Sequence, residues 1–257
     1  MLLNKFNTDM KKYILILTII LFANNVFAQS VDSMYVQANA LYNSGKYEEA
    51  VNIYEDILTK KDTESSDLYY NLGNAYFKQN ILGAAILNYE RAYRLNPSDE
   101  DINHNLAVAQ TQLLDKFDEV PEFVLITIFG KIKSLFAANT WGIMALMSFV
   151  VVLILVLLFL FARSLFIRRL SFWIACFVLL FSISCKLIEG NLRKYDNAIV
   201  FVPVLTAKTS PDDSGKDVFL LHEGTKVVVR DNFNDWTKIQ LPNGEQGWVV
   251  SEAIEII

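Results

Sequence analysis

Residues 141–188 read WGIMALMSFVVVLILVLLFLFARSLFIRRLSFWIACFVLLFSISCKLI, and this stretch decides how the chain is organised. It contains two apolar runs, 141–162 and 170–188, separated by the short arginine-rich segment 163–169. Each run is long enough to cross a hydrocarbon core of about 30 Å as a helix. A hairpin of two transmembrane helices returns the chain to the side on which it entered. The polar segments before and after it should therefore face the same compartment.

The first 28 residues predict export. Lys11 and Lys12 precede an apolar stretch of eleven residues, 13–23, and the small residue Ala28 closes the segment. A basic start, a short apolar core and a small residue at the exit are typical of a secretory signal peptide. An uncleaved anchor is the alternative, and it would also translocate the domain that follows.

The orientation of the hairpin follows from the signal peptide and from the connecting loop. Three arginines in that loop favour the cytoplasmic side: Arg163, Arg168 and Arg169. Lysines and an arginine also flank the hairpin at its other end, so the signal peptide carries more weight than the count of charges. We predict that both flanking domains lie outside the cytoplasm.

Composition excludes several classes of function. The chain has 257 residues, is 53% apolar and carries a net charge of −5, which disfavours nucleic acid as a partner. Both cysteines, Cys176 and Cys185, fall in the second apolar run, so the polar domains can hold neither a disulfide nor a cysteine-based zinc site. The sequence contains no phosphate loop, HExxH or GxSxG motif. It predicts a protein that is not an enzyme and needs no cofactor.

Residues 29–116 resemble about 2.5 tetratricopeptide repeats, because small, aromatic and proline positions recur at the offsets of a 34-residue motif. The positions predicted to pack the repeats are Gly45, Tyr47, Ala50, Tyr69, Leu72, Gly73, Tyr76, Ala85, Tyr89, Ala92 and Pro97. Gly73 and Ala85 are small where two helices should touch. A third copy starts at Ser98, which we expect to cap a single closing helix over 99–112.

The repeat segment is acidic. Residues 29–120 contain fifteen Asp and Glu against seven Lys and Arg. These charges either serve solubility or line a groove for a basic or amide-rich partner segment. The residues predicted to contact the backbone of such a peptide are Asn71, Asn74 and Asn105.

The linker 117–140 leads to the hairpin and is predicted to be interfacial. Lys131 and Lys133 would then lie near lipid headgroups, and Trp141 in the aromatic belt. The alternative is a loop that packs on the repeats.

Residues 196–257 predict a small β-barrel. The candidate strands are 198–204, 218–221, 226–231, 236–240 and 246–250, and turn residues separate them. The segments DWTKI at 235–239 and GWV at 247–249 resemble the bacterial SH3-like domain. That resemblance implies binding of peptides or of cell-wall peptide stems, or a structural role.

Two tryptophans and two histidines in the polar domains need separate interpretations. Trp236 and Trp248 are either part of the core and rim of the barrel or a ligand-stacking surface. His104 and His222 are isolated in the sequence, and each is predicted to be a surface or internally bonded side chain.

The predicted fold class is multidomain: all-α tetratricopeptide helical repeats, a two-helix transmembrane hairpin and a small all-β SH3-like barrel. The signal peptide, repeats, hairpin and barrel, in this order, resemble the BatE-type proteins of the Bacteroidetes aerotolerance (Bat) operons. This resemblance implies a non-enzymatic protein of the bacterial inner membrane, with repeats and barrel in the periplasm. It also implies von Willebrand A-type membrane proteins and a MoxR-type ATPase as partners, in an envelope process linked to oxidative stress.

Two functions remain open at this stage. The first is a scaffold that assembles membrane and periplasmic proteins by protein–protein contact. The alternative is a sensor or anchor that binds peptidoglycan through the SH3-like domain. Membrane lipid is an expected partner in both cases.

Overall fold

The computed structural model describes residues 31–61, 64–117, 124–192 and 197–257. The predicted signal peptide, 1–28, lies outside these residues. The described chain contains helical repeats, two long apolar helices and a small antiparallel all-β domain, which confirms the predicted fold class. It divides into two compact units, Met1–Glu64 and Ser65–Ile257.

The first unit contains one helical hairpin, with α1 at residues 31–43 and α2 at Tyr47–Lys61. The hydroxyl of Tyr54 on α2 donates a hydrogen bond of 2.6 Å to Asn39 Oδ1 on α1. The turn between the helices depends on Gly45, whose φ of +80° is a conformation that side chains with a Cβ rarely adopt. A Cβ at this position would meet no atom within 4 Å, so the positive φ of the turn is what favours glycine here.

The repeat helices of the second unit are α3 at Ser66–Lys78, α4 at Leu82–Leu95 and α5 at Glu100–Thr111. Ser65 caps α3, because its hydroxyl accepts a hydrogen bond from Leu68 N. Asp99 caps α5 by accepting from the backbone N–H groups of the two residues at its start, Asp101 and Ile102. The prediction that Ser98 caps this helix was wrong by one residue.

Helices α3 and α4 approach most closely at Gly73. A Cβ there would lie 2.7 Å from Tyr89 Cδ1 and 3.3 Å from the carbonyl oxygen of Ala85. The Tyr89 ring is buried, and its hydroxyl donates to Asn74 Oδ1, so the ring has little freedom to move away. Most of the other predicted packing positions are buried: Ala50, Tyr69, Leu72, Ala85 and Ala92. The remaining three are half-buried: Tyr47, Tyr76 and Pro97.

The membrane-type helices follow a short helix. Helix α6 spans Val124–Lys133, α7 spans Ala138–Phe161 and α8 spans Leu165–Leu192. Both long helices are long and apolar enough to cross a membrane. Helix α8 begins five residues before the predicted run, so only residues 162–164 connect the two helices. Arg168 and Arg169, which were predicted to lie in the connecting loop 163–169, are the fourth and fifth residues of α8.

Helices α7 and α8 form a hairpin that is joined by small and polar side chains. Ser182 Oγ on α8 donates a hydrogen bond of 2.8 Å to the carbonyl of Ala145 on α7. Cys185 is buried against Trp141 and Ala145, and the carboxyl of Glu189 lies against Gly142. Most of the other apolar side chains point outward and are exposed. The hairpin surface is thus suited to an apolar solvent.

The β domain is a seven-stranded antiparallel sheet with the order β3-β2-β6-β5-β4-β1-β7. The strands are β1 Asn197–Val200, β2 Val204–Lys208, β3 Asp217–His222, β4 Lys226–Phe233, β5 Trp236–Gln240, β6 Gln246–Val250 and β7 Ile254–Ile256. Every strand contributes to one core, in which Val200, Leu221, Ile239 and Val249 are fully or almost fully buried. The predicted strand 198–204 is interrupted at 201–203, where Pro203 lacks the N–H that a ladder requires.

We predict that Gly73→Ala destabilises the α3–α4 pair. Overpacking costs about 1–3 kcal/mol, whereas alanine gains only about 1 kcal/mol over glycine in a helix. Amide hydrogen exchange of α3 and α4 in the full chain should become faster. Gly130→Ala in α6 is the control, because a Cβ there meets no atom within 4 Å. Unchanged exchange in Gly73→Ala would contradict the close contact.

Candidate protein-interaction surfaces

The first candidate surface lies where α3 and α5 run side by side. Asn105 Nδ2 on α5 donates to Tyr70 Oη at 2.9 Å and to Asn74 Oδ1 at 2.8 Å, both on α3. Asn74 Oδ1 also accepts a hydrogen bond of 2.7 Å from the hydroxyl of Tyr89. Two of the three asparagines predicted from the sequence are therefore brought together. The third, Asn71, is half-buried on α3, one turn before Asn74.

These amides have further hydrogen-bonding capacity. Asn74 Oδ1 and Asn105 Nδ2 each form two hydrogen bonds inside the repeat. Asn74 Nδ2 and Asn105 Oδ1 have no hydrogen-bond partner in the described ranges 31–61, 64–117, 124–192 and 197–257. Asn74 Nδ2 is a donor and Asn105 Oδ1 is an acceptor, so together they match the C=O and N–H groups of a peptide backbone. Because the internal bonds hold both side chains, the surface is preorganised.

The second candidate surface is the outward face of the β domain. Trp248 on β6 lies opposite Lys238 on β5 and opposite Lys208 on β2. Trp236 lies opposite Val250 and alternates along β5 with the buried Thr237. Both tryptophans are half-buried and lie outside the core of the domain. The sequence left open whether they belong to the core or to a surface, and the register places them on the surface.

An extensive contact joins the repeat to the β domain, and the sequence analysis did not anticipate it. Ile199 of β1 and Ile257 belong to the same buried cluster as Ile86 of α4 and Leu106 of α5. Burying an isoleucine side chain stabilises a structure by about 1.5–3 kcal/mol. The β domain thus covers an apolar face that a second helix of the third repeat would otherwise cover.

Polar contacts hold α4 at its N-terminal end. Ile81 at the N-cap offers no side-chain cap, and Glu223 Oε1 from the β3–β4 turn accepts a hydrogen bond of 3.0 Å from Gly83 N. A carboxylate at this end also has a favourable interaction with the helix dipole. A Cβ at Gly83 would lie 2.7 Å from Glu223 Oε1, so a side chain there would displace the Glu223 carboxylate. The β domain therefore caps a repeat helix.

Ion pairs hold the middle and the C-terminal end of α4. Glu90, whose side chain is buried, accepts a hydrogen bond of 2.7 Å from Lys226 Nζ at the start of β4. Arg91 donates to Glu255 at 3.0 Å and lies over the ring of Tyr69. Arg94 donates to the carbonyl oxygen of Ile257. The bonds to Lys226, Glu255 and Ile257 each join groups that are more than a hundred residues apart.

Asp115, in the segment after α5, bonds to the β3–β4 turn. Its carboxylate accepts hydrogen bonds from His222 N at 2.7 Å and from Thr225 Oγ1 at 2.6 Å. His222 Nδ1 lies 2.7 Å from the other oxygen. Burial raises the pKa of Asp115, but the hydrogen bonds from Thr225 and His222 outweigh it, so this pKa lies below its usual value. His222 is isolated in the sequence and paired in the structure.

Local sequence signals could not reveal this contact, because its partners are distant along the chain. One indirect signal existed. Leu106 and Ala109 form an apolar face on α5, and the sequence offers no second repeat helix to cover it. An unpaired apolar face indicates that another part of the chain must pack there.

Comparison with known proteins supports the helical part. The tetratricopeptide repeat family matches residues 35–100. No curated protein matches the chain. Repeats of this family generally bind other proteins and are non-catalytic, which favours a protein-interaction role for the helical segment. In the described part of the chain, no group of three or more His, Cys, Asp or Glu side chains could hold a metal ion.

We predict that Asp115→Asn loosens the β domain from the repeat. The new amide N–H₂ would face a group of His222 or Thr225 that donates to Asp115 in the wild type. Leaving such a buried donor unsatisfied lowers the stability of the contact by about 1–3 kcal/mol. Hydrogen exchange in the β3–β4 turn and in α4 should become faster. Asp212→Asn is the matched control, because Asp212 accepts its hydrogen bonds within its own loop, from Ser214. Equal effects of the two substitutions would contradict the role of Asp115.

We predict that the same contact weakens in acid. A carboxyl whose pKa is lowered in the folded protein contributes stability above its unfolded pKa of about 4, and that contribution is lost as the pH falls through the folded value. The protection of amides in the β3–β4 turn, measured against their intrinsic exchange rate at each pH, should therefore fall below about pH 4 in the wild-type chain. The fall in protection should be smaller in Asp115→Asn.

Proposed function

We propose that this chain is a non-catalytic, membrane-anchored scaffold that binds protein partners through its repeat. The observation that carries the proposal is the asparagine pair of α3 and α5. Asn74 and Asn105 are held by tyrosines of the repeat, while the β domain bonds to α4 and to Asp115. Because the β domain bonds to other residues, the asparagine pair is available for binding another protein.

The proposed ligand is an extended segment of another protein. Asn74 Nδ2 would donate to a carbonyl of that segment, and Asn105 Oδ1 would accept from an N–H, which is sequence-independent recognition of the backbone. The excess of acidic residues around the repeat favours a basic or amide-rich segment. Asn71, one turn earlier on the same helix, would extend the contact along the ligand.

We predict that Asn74→Asp weakens partner binding about five-fold, the effect of one lost hydrogen bond of about 1 kcal/mol. Aspartate keeps the oxygen that accepts from Tyr89 and Asn105 but replaces the outward donor by an acceptor. Crosslinking and co-purification of the full chain from membranes would identify the partner, and titration with it would give the affinity. Gln110→Ala, an exposed amide on α5, is the control. Equal affinity of Asn74→Asp and wild type would contradict the proposed site.

The membrane anchor is the second element of the proposal. The chain is inserted in the bacterial inner membrane by α7 and α8, and the repeat and β domain lie together in the periplasm. The contact between Asp115 and His222 supports a common side, because these residues flank the hairpin and lie within hydrogen-bonding distance. Such a contact cannot form across a hydrocarbon core of about 30 Å. The predicted signal peptide favours the periplasm as that side.

We predict that a reporter active only outside the cytoplasm is active when fused after Ile257. In the proposed topology, two spans that follow an exported repeat would leave both ends of the hairpin outside. A second fusion within residues 162–164 should be inactive, because these residues lie at the opposite end of the hairpin. Activity of the loop fusion with loss of activity after Ile257 would reverse the proposed orientation.

The cellular setting of the proposal comes from the resemblance to BatE-type proteins. The partners would be von Willebrand A-type membrane proteins and a MoxR-type ATPase, acting in a process linked to oxidative-stress tolerance. Neighbouring genes for such proteins, and their recovery with the full chain after crosslinking, would support this setting. Recovery of the monomer alone would count against the scaffold.

The second candidate function is a peptidoglycan-binding sensor or anchor. The observation that favours it is the outward position of Trp248 between Lys208 and Lys238 on the β sheet. An aromatic face flanked by ammonium groups could stack on a sugar or contact an acidic peptide stem. Retention of the full chain by purified cell wall, with loss of retention in Trp248→Ala, would support the sensor over the scaffold.

A further inference from the structure

An exposed apolar stripe runs along α6 and the turn that follows it. The side chains of Ile128, Phe129 and Ile132 are 48%, 60% and 38% exposed, and those of Leu135 and Phe136 are 56% and 42% exposed. These positions recur at the spacing of one helical face. Among the described residues of the second unit, these side chains stay open to solvent. Apolar surface of this extent on a short helix indicates a partner that is itself apolar.

The stripe is continuous with the surface of the membrane-type hairpin. Trp141 Nε1 at the start of α7 donates a hydrogen bond of 3.2 Å to the carbonyl of Lys133, the last residue of α6. The ring of Phe136 packs edge-on against Trp141, with centroids 5.6 Å apart. Lys133 Nζ donates to Asn191 Oδ1 near the end of α8. These bonds attach the end of α6 to both long helices at one end of the hairpin.

The charges at this end of the hairpin suit an anionic surface. Lys131 is exposed, and Lys133 Nζ donates to the neutral amide of Asn191 and not to a carboxylate. Lys186 on α8 is paired with Glu189 at 2.6 Å, and that pair is neutral overall. A surplus of positive charge beside an exposed apolar face is typical of helices that lie at the interface of an anionic bilayer.

We propose that α6 lies in the headgroup region of an anionic bilayer, with the stripe toward the acyl chains and Lys131 toward the lipid phosphates. The inference rests on the proposed insertion of the hairpin. It deepens that proposal, because it gives the chain a lipid-binding element outside its spans. The helix is about 15 Å long and joins the segment after the repeat to the first span. A helix bound flat to the bilayer would hold the repeat at the membrane surface.

The test uses the full chain reconstituted in vesicles. Cys176→Ala and Cys185→Ala remove the native thiols, and single nitroxide-labelled cysteines are placed at 129, 131 and 154. Collision with oxygen, which concentrates in lipid, is compared with collision with a water-soluble nickel chelate. The vesicles contain phosphatidylcholine either alone or with phosphatidylglycerol. Position 154 reports on insertion of α7, and 131 is the matched control on the polar face of α6.

The expected result is a several-fold lower accessibility to nickel at 129 than at 131, with 154 inaccessible to nickel. The protection at 129 should increase with phosphatidylglycerol, and Lys131→Gln with Lys133→Gln should abolish that increase. Equal nickel accessibility at 129 and 131, with 154 protected, would overturn the lipid contact while leaving the anchor intact. Protection of 129 from both reagents would indicate a protein partner or a second copy on the stripe, which also overturns the proposal. Nickel access at 154 would overturn the membrane insertion on which the proposal rests.

Discussion

The packing of Ile199 and Ile257 against Ile86 is the contact on which the second unit depends. It brings the β domain onto α4 and α5, and it covers an apolar face that the repeat leaves open. Around this apolar centre, the polar contacts are distributed along the whole of α4. Glu223 caps the start of the helix, Glu90 and Arg91 pair with the β domain along it, and Arg94 bonds at its end. Helices α3 to α5 and the β domain are consequently one structural element and not two modules on a tether.

The apolar and polar parts of this contact have different roles. Isoleucine burial supplies most of the stability, because it removes apolar area from water without a desolvation cost. The pair of the buried Glu90 with Lys226 contributes little net stability, since its Coulomb energy is offset by the loss of hydration. Such a pair instead disfavours other orientations of the β domain, because Glu90 would then be buried without Lys226 as its partner. The same logic applies to Asp115, whose three hydrogen bonds are all lost if the β3–β4 turn moves.

Local features of the fold were predictable, and distant contacts were not. The two apolar helices and the strands β5 and β6 follow from runs and alternation in the sequence, which depend only on neighbouring residues. The sequence analysis did not predict the interruption of the first strand at Pro203. It predicted Ser98 as the cap of α5, one residue before the actual cap, Asp99. The pairing of His222 with Asp115 spans 107 residues and leaves no periodic trace. The asparagines were identified as polar positions, but the tyrosines that orient them only become apparent in three dimensions.

Docking of the β domain also constrains the part of the chain between the docked residues. Asp115 and His222 are in contact, so the segment that joins them, which includes α6, α7 and α8, forms a closed loop. A loop whose ends meet on one surface can enter a bilayer only an even number of times, since every crossing must be matched by a return. A two-helix hairpin is the smallest structure that satisfies this condition. The connection of 162–164 between the long helices is short enough to return the chain at once. In the proposed membrane insertion, the contact that unites repeat and β domain is compatible with a hairpin, whereas a single span in the same position would pull that contact apart.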